Sequence, residues 1–286
     1  MSKIETRPFP RLALQLCRLF NVITFIGIDL AWRSERNNTG MAVLRGDRGG
    51  VELIRVSDSI CAIADVREFV EIHAGASTVI AIDAPLVIKN TVGQRSCETA
   101  VGREYGSREA SCHTSNLRLY PDARSVNLAR KLVLAGYVHA PNADEDSQKV
   151  VLEVYPHAGL DALFDLPKSL KYKNGTLAQK RSGLRTLTEH LGQLAQATPV
   201  LLKTPYLADL LTRDLSSLSG RDLKSHEDSM DAVSCAYLAY YFWYWRLDRN
   251  HVFGDLTTGY IVNPMKLPGG IASSPAAVVR RGPSTV

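Results

Sequence analysis

The chain has no CxxC pair, no apolar run long enough to cross a bilayer, and little net charge outside its two ends. Each absence removes a class of protein. The five cysteines, Cys17, Cys61, Cys97, Cys112 and Cys235, are odd in number and scattered. That argues against a disulfide framework, fits no standard zinc spacing, and predicts reduced thiols in a cytoplasmic protein. A membrane span needs roughly 18 consecutive apolar residues, so no membrane partner is expected. Between Arg11 and Arg18 lie only six residues of apolar character, with no small-residue cleavage pattern after them, which argues against a signal peptide. The formal charge is +5, yet residues 1–20 and 266–286 each carry +3, which leaves −1 for the rest. A core of that balance argues against broad, charge-driven binding to duplex nucleic acid.

What is present is an ordinary globular composition, 45% hydrophobic over 286 residues. Val22–Ile28, Met41–Leu44 and Val51–Val56 read as strands, and the Gly46–Gly50 turn joins the last two as a hairpin. Ile63, Val66, Phe69 and Val70 recur at helical spacing within 60–72, before a fourth strand at Thr78–Ile82. A helix between strands implies a crossover, so the first and fourth strands are expected to be parallel neighbours. Residues from Pro85 to about Asp146 read as an elaborated loop region with helices at Cys97–Tyr105 and Arg124–Ala135. Val150–Tyr155 is a fifth strand, followed by helices at Thr176–Leu194 and Ser225–Leu247. The order predicts one α/β domain over 21–265, a mixed five-stranded sheet flanked by helices with an insertion at about 85–149. Residues 1–20 read as an N-terminal extension and 266–286 as a disordered tail.

Carboxylates stand where the strands end. FIGIDL ends on Asp29 and VIAIDAPL carries Asp83, and the carboxyl edge of such a sheet is where α/β proteins build their sites. Glu153 sits inside an otherwise apolar strand, VVLEVY, with His157 four residues on; an arginine such as Arg95 could equally pair with that acid. In the final helix Asp228 and Asp231 are spaced i, i+3, and Glu227 and Asp231 i, i+4, so they share a face. Asp228 could instead complete a capping box with Ser225. Ala232, Cys235, Ala236 and Ala239 form a small-residue stripe that lets the helix approach the sheet. Carboxylates gathered in one place need a compensating cation, and oxygen donors favour Mg²⁺ or Mn²⁺.

Six motifs carry a resemblance: GIDLAW (27–32), AIDAPL (81–86), GQRSCE (93–98), EVYPHA (153–158), the pair Tyr172-Lys173 and EDSMDAVSCAY (227–237), with GYIVNP (259–264) at the end. In this order they resemble the domain of unknown function 429 family. That family resembles the ribonuclease H-like superfamily and is regarded as a group of nucleases. The resemblance implies a ribonuclease H-like fold whose first three strands are antiparallel. It further implies catalytic acids at Asp29, Asp83 and Asp231 that hold the metal, with Asp228 beside them. Glu153 has no firm counterpart in that scheme and joins the catalytic set on its burial alone. Arg95, Arg118 and Lys173 are expected to contact a phosphate backbone, and His157 to assist at the substrate.

The expected function is a divalent-metal-dependent nuclease acting on nucleic acid or a nucleotide-like phosphodiester. One alternative is an ATP-binding phosphotransferase of the actin-like superfamily, but Asp29 is followed by Leu-Ala-Trp-Arg and no glycine-rich DxGxT turn occurs. Another is a non-catalytic nucleic-acid-binding module on the same scaffold, whose mark would be a broken acid set. The aromatic run at 240–245, through Tyr240, Trp243 and Trp245, predicts a homo-oligomer surface or a stacking platform for bases.

Overall fold

A computed structural model of the chain describes residues 22–271, apart from 35 and 145. Its centre is β1 (Ile23–Asp29), buried along its length until Asp29. β2 (Thr39–Asp47) and β3 (Gly50–Ile60) form the expected hairpin, and Asp47 Oδ1 accepts the Gly49 N–H at 2.7 Å to close the turn. Helix α1 (Ile63–His73) buries Val66, Phe69 and Val70, and carries the chain back to β4 (Thr78–Ile82). α2 (Ser96–Tyr105) and α3 (Arg124–Leu134) occupy the insertion. There follow β5 (Val138–His139), β6 (Lys149–Glu153), α4 (Pro156–Leu163), α5 (Leu177–Gln193), α6 (Pro205–Leu211) and the long α7 (Gly220–Trp245). A hairpin of β7 (Asn250–Asp255) and β8 (Gly259–Pro264) closes the described chain.

The main sheet runs β3-β2-β1-β4-β6-β5. The first three strands are antiparallel, and β1, β4, β6 and β5 are parallel to one another. Six strands, not five, make up this sheet. The extra one is the two-residue β5, too short and too polar (Val138-His139) to leave a period-two signature. β7 and β8 form a separate two-stranded sheet that the sequence reading left unassigned.

Alternation along the strands creates two apolar faces. Phe25, Val79, Ala81, Val150 and Leu152 face α7 and α5, while Ile26, Ile28, Ile80, Ile82 and Val151 face α1 and α3. Helix α7 lies unusually close to its face. A Cβ added to Gly27 would land in the backbone of Ala232 and Ala236, and one added to Gly40 would land in the Asp228 carbonyl. The small-residue stripe of the helix therefore has its counterpart in two sheet glycines.

Three local expectations change. α7 begins at Gly220, so Ser225 is inside the helix and caps nothing; its hydroxyl donates to Asp58 Oδ2 at 2.6 Å. The aromatic run does not project outward as a unit. Tyr240 is wholly buried against Phe25, with ring centroids 5.0 Å apart, while Trp243 and Trp245 are half-buried beneath Arg48 and Arg249. Residues 266–271 are packed rather than disordered, with Ile271 in the core beside α4 and the Leu267 N–H reaching the Ala162 carbonyl. The expectations for 1–20 and for 272–286 lie outside the described residues. Among the described residues no helix is long and apolar enough to cross a membrane.

Candidate active site

β1 and β4 end together. Their register pairs Ile28 with Ile82, and the Asp83 N–H donates to the Ile28 carbonyl at 2.9 Å. Asp29 and Asp83 thus leave adjacent parallel strands at the same level. By alternation both share the face of Phe25 and Ala81, the face that α7 covers. From α7, Asp231 and Asp228 reach the same place, because i, i+3 spacing turns both toward the strand ends. The close approach at Gly27 and Gly40 brings that helix within reach of the strand acids. Asp29, Asp83 and Asp228 line a cleft of about 720 Å³. Asp231 is fully buried behind them and does not line it.

Two lysines enter this cluster. Lys173 Nζ lies 2.9 Å from Asp231 Oδ2 and 4.0 Å from Asp83 Oδ2. Asp231 Oδ1 accepts the Tyr172 hydroxyl at 2.7 Å, and no well-aligned hydrogen bond reaches its Oδ2 despite the nearby ammonium. Lys224 bridges Glu227 Oε1 at 2.8 Å and Asp228 Oδ1 at 2.6 Å from one helical turn away. The Tyr172-Lys173 segment, between α4 and α5, is pinned from three sides. Tyr172 is fully buried, its ring stacks on His157 at 5.3 Å, and a Cβ on Gly183 of α5 would come 2.7 Å from the Lys171 carbonyl carbon.

The electrostatics follow from that crowding. Burial raises Asp83 to about 8, with Asp29 and Asp231 adding to the shift and Lys173 opposing it. Burial likewise raises Asp29, against the pull of Lys173, and brings Asp228 to about 7, against the pull of Lys224. Burial alone would lower Lys173, but the Asp231, Asp29 and Asp83 carboxylates outweigh it and hold the ammonium well above its ordinary value. His157, buried and facing Lys173, falls to about 3 and is a neutral imidazole at the cleft wall.

Glu153 goes elsewhere. It pairs in register with Ile82 and alternates with Leu152, which turns its side chain to the sheet face opposite Asp83. Its Oε2 accepts Arg95 Nη1 at 2.9 Å and the Leu86 N–H at 2.8 Å, and its Oε1 accepts Arg95 Nη2 at 2.5 Å. Arg95 Nε donates to Glu98 Oε1 at 2.8 Å, and Ser115 donates its hydroxyl and its N–H to Glu98. Arg95, Glu98 and Glu153 are all at most 3% exposed. Arg95 therefore holds two acids in the interior and has no arm left for a phosphate, and Glu153 is its partner rather than a member of the acid cluster. Arg118 is exposed but does not line the cleft. Cys97 is buried with its thiol pushed up to about 12 by desolvation, which makes it a packing residue.

The expected metal ligands Asp29, Asp83 and Asp231 do converge. Among the described residues, however, no three His, Cys, Asp or Glu side chains stand grouped to hold an ion as they are. The physical reason is that the two ammonium groups take up carboxylate oxygens of Asp231 and Asp228. The donor chemistry still suits a hard cation. The acids outnumber the ammonium groups, and burial holds Asp29, Asp83 and Asp228 above their ordinary range.

Sequence reasoning missed several wall residues. Lys224 was legible, since it stands three and four positions before Glu227 and Asp228 on one helix. Arg33 and Lys171 at the mouth carry no such signal, because both sit on loops. Tyr172 stood out in the sequence only as half of a dipeptide, and its hydroxyl's partner lies 59 positions away.

No curated protein matches this chain. A family model does, over residues 27–256, and its description is Protein of unknown function (DUF429). That span runs from the end of β1 through β7 and includes Asp29, Asp83, Asp228 and Asp231, and the chain belongs to this family.

Proposed function

We propose that the cleft hydrolyses phosphodiesters with the help of a divalent cation, as a nuclease acting on nucleic acid or a nucleotide-like substrate. The observation that carries this reading is the meeting of Asp29, Asp83 and Asp228 at one cleft wall with Asp231 directly behind, delivered by β1, β4 and α7. The resemblance to ribonuclease H-like proteins supports it, because that scaffold carries its acids at the ends of the first and fourth strands and on a late helix. The antiparallel arrangement of the first three strands is what that resemblance implies.

Asp29 and Asp83, with Asp228 beside them, would hold Mg²⁺ or Mn²⁺. When bound, such an ion withdraws charge from a phosphate oxygen and makes water a better nucleophile at neutral pH. The chain's own residues do the rest. Lys173 places a fixed positive charge against the charge that develops on the phosphoryl group. Arg33 and Lys171 at the mouth attract the phosphate before it reaches the acids. His157 stays neutral and closes one wall without adding charge.

The test is a panel of labelled single-stranded, duplex and branched DNA and RNA with Mg²⁺ or Mn²⁺, run with wild type and Asp29→Asn side by side. Cleavage by wild type, lost at least 100-fold in the variant with the circular dichroism unchanged, is the expected result. If no substrate in the panel is cut with either ion, the reading fails.

A further inference from the structure

We infer that Lys173 is a resident cation occupying one of the two positive positions of the acid cluster, so that the centre takes one divalent ion rather than two. Asp231 then anchors this lysine and is not a metal ligand. The inference deepens the hydrolytic reading and rests on it, but it concerns ion binding and can be tested without turnover.

Four observations carry it. First, both oxygens of Asp231 are committed within the protein: Oδ1 to the Tyr172 hydroxyl at 2.7 Å, Oδ2 to Lys173 Nζ at 2.9 Å. Second, Asp231 is fully buried and does not line the cleft, whereas Asp29, Asp83 and Asp228 do. An ion arriving from solvent meets those three first. Third, Lys173 is held in place rather than draped. Tyr172 beneath it is buried and stacked on His157, and the preceding backbone lies against Gly183, where a side chain would not fit. Its ammonium reaches between acids on two elements, 2.9 Å from Asp231 and 4.0 Å from Asp83. Fourth, charge limits the cation count. Five carboxylates (Asp29, Asp83, Glu227, Asp228, Asp231) face two ammonium groups, a surplus of three when all are ionised. One divalent ion leaves a balance of −1 and a second would tip it to +1, so what opposes the second is the need to displace Lys173 from a partly desolvated ion pair.

The experiment is Mn²⁺ titration of the full chain by calorimetry, with electron paramagnetic resonance to count bound ions. Wild type is expected to bind one Mn²⁺ per chain. Lys173→Met and Lys173→Gln are each expected to bind two, or to bind one at least tenfold more tightly; Lys173→Arg should keep the wild-type number. Asp231→Asn should hold Mn²⁺ within about threefold of wild type, while Asp29→Asn loses most of it. Circular dichroism on each variant separates lost binding from lost folding, and Met and Gln replace a side chain that is already 25% exposed. Two ions in wild type overturn the inference, as does a Lys173 series with unchanged number and affinity. So does loss of binding in Asp231→Asn equal to that in Asp29→Asn, or no Mn²⁺ binding at all. Binding of one ion by a protein that cuts nothing would sink the hydrolytic reading and leave this one standing.

Discussion

Two groups of buried acids meet basic side chains at the same end of one sheet, and they are built on opposite principles. Around Arg95, two carboxylates and one guanidinium satisfy each other completely. Glu153 and Glu98 between them accept three arginine side-chain donors, and the remaining lone pairs take N–H groups and a hydroxyl. Around Lys173 the acids exceed the cations, and Asp29, Asp83 and Asp228 face a cleft open to solvent. The first arrangement is a closed joint that fixes the insertion to β6. The second leaves an excess of acid beside an open cleft. Buried acids by themselves thus say little about function; the completeness of their hydrogen bonding says more.

The most drastic way to break the contrast is to remove the guanidinium. Arg95→Met strands Glu98 and Glu153 without a cation in the interior. It should cost about 3–5 kcal/mol in chemical denaturation, a large fraction of a typical domain's stability. A loss under about 1 kcal/mol would show that the joint is not closed as described. Gly27→Ala attacks the other side, since the new methyl group meets helix backbone that cannot swing away. About 3 kcal/mol of destabilisation is expected, and the displaced α7 should weaken Mn²⁺ binding as well. Tyr172→Phe is gentler. It removes one hydroxyl from Asp231 and should cost about 1–2 kcal/mol, read from the denaturation midpoint.

The last test is in pH. The Asp83 carboxyl is raised to about 8 in the folded chain against its ordinary value of 3.8. Between those values the folded state keeps a proton that the unfolded state has given up. Stability therefore falls as pH rises from about 4 through about 8. Thermal melting of the ion-free protein should drop progressively across that window, and Asp83→Asn should flatten the slope. An equal slope in the variant would assign the dependence to other groups.

The open centre was partly legible in the sequence, because a strand-end acid is fixed by local grammar. Asp29 and Asp83 follow apolar runs, and parallel pairing of β1 with β4 brings them level. Asp231 was legible from its helical spacing. What escaped was long-range or a matter of parity. Glu153 is one residue out of step with Val150, Leu152 and the cleft side, so period-two counting would have sent it to the other face. Lys173 was marked as a phosphate contact, but nothing in a loop dipeptide says that it folds back onto a helix acid. The α4 and α6 helices open with proline at their first turn and follow extended segments, so their sequence gives no clear helical signal. The aromatic run reads as a surface on the premise that a helix cannot bury every face within its own domain, whereas a helix laid against a sheet, flanked by other helices and a hairpin, buries nearly all sides.

The pinned segment at 172–173 separates two kinds of heritable change. The acids ride on β1, β4 and α7, where any alteration disturbs the core. The balancing charge rides on a connection between helices. A substitution, or a shift of one residue in that connection, could retune the appetite of the cleft for external cations while leaving the scaffold as it is. Under the hydrolytic reading proposed above, those two positions are where a substitution would alter ion binding without rebuilding the fold.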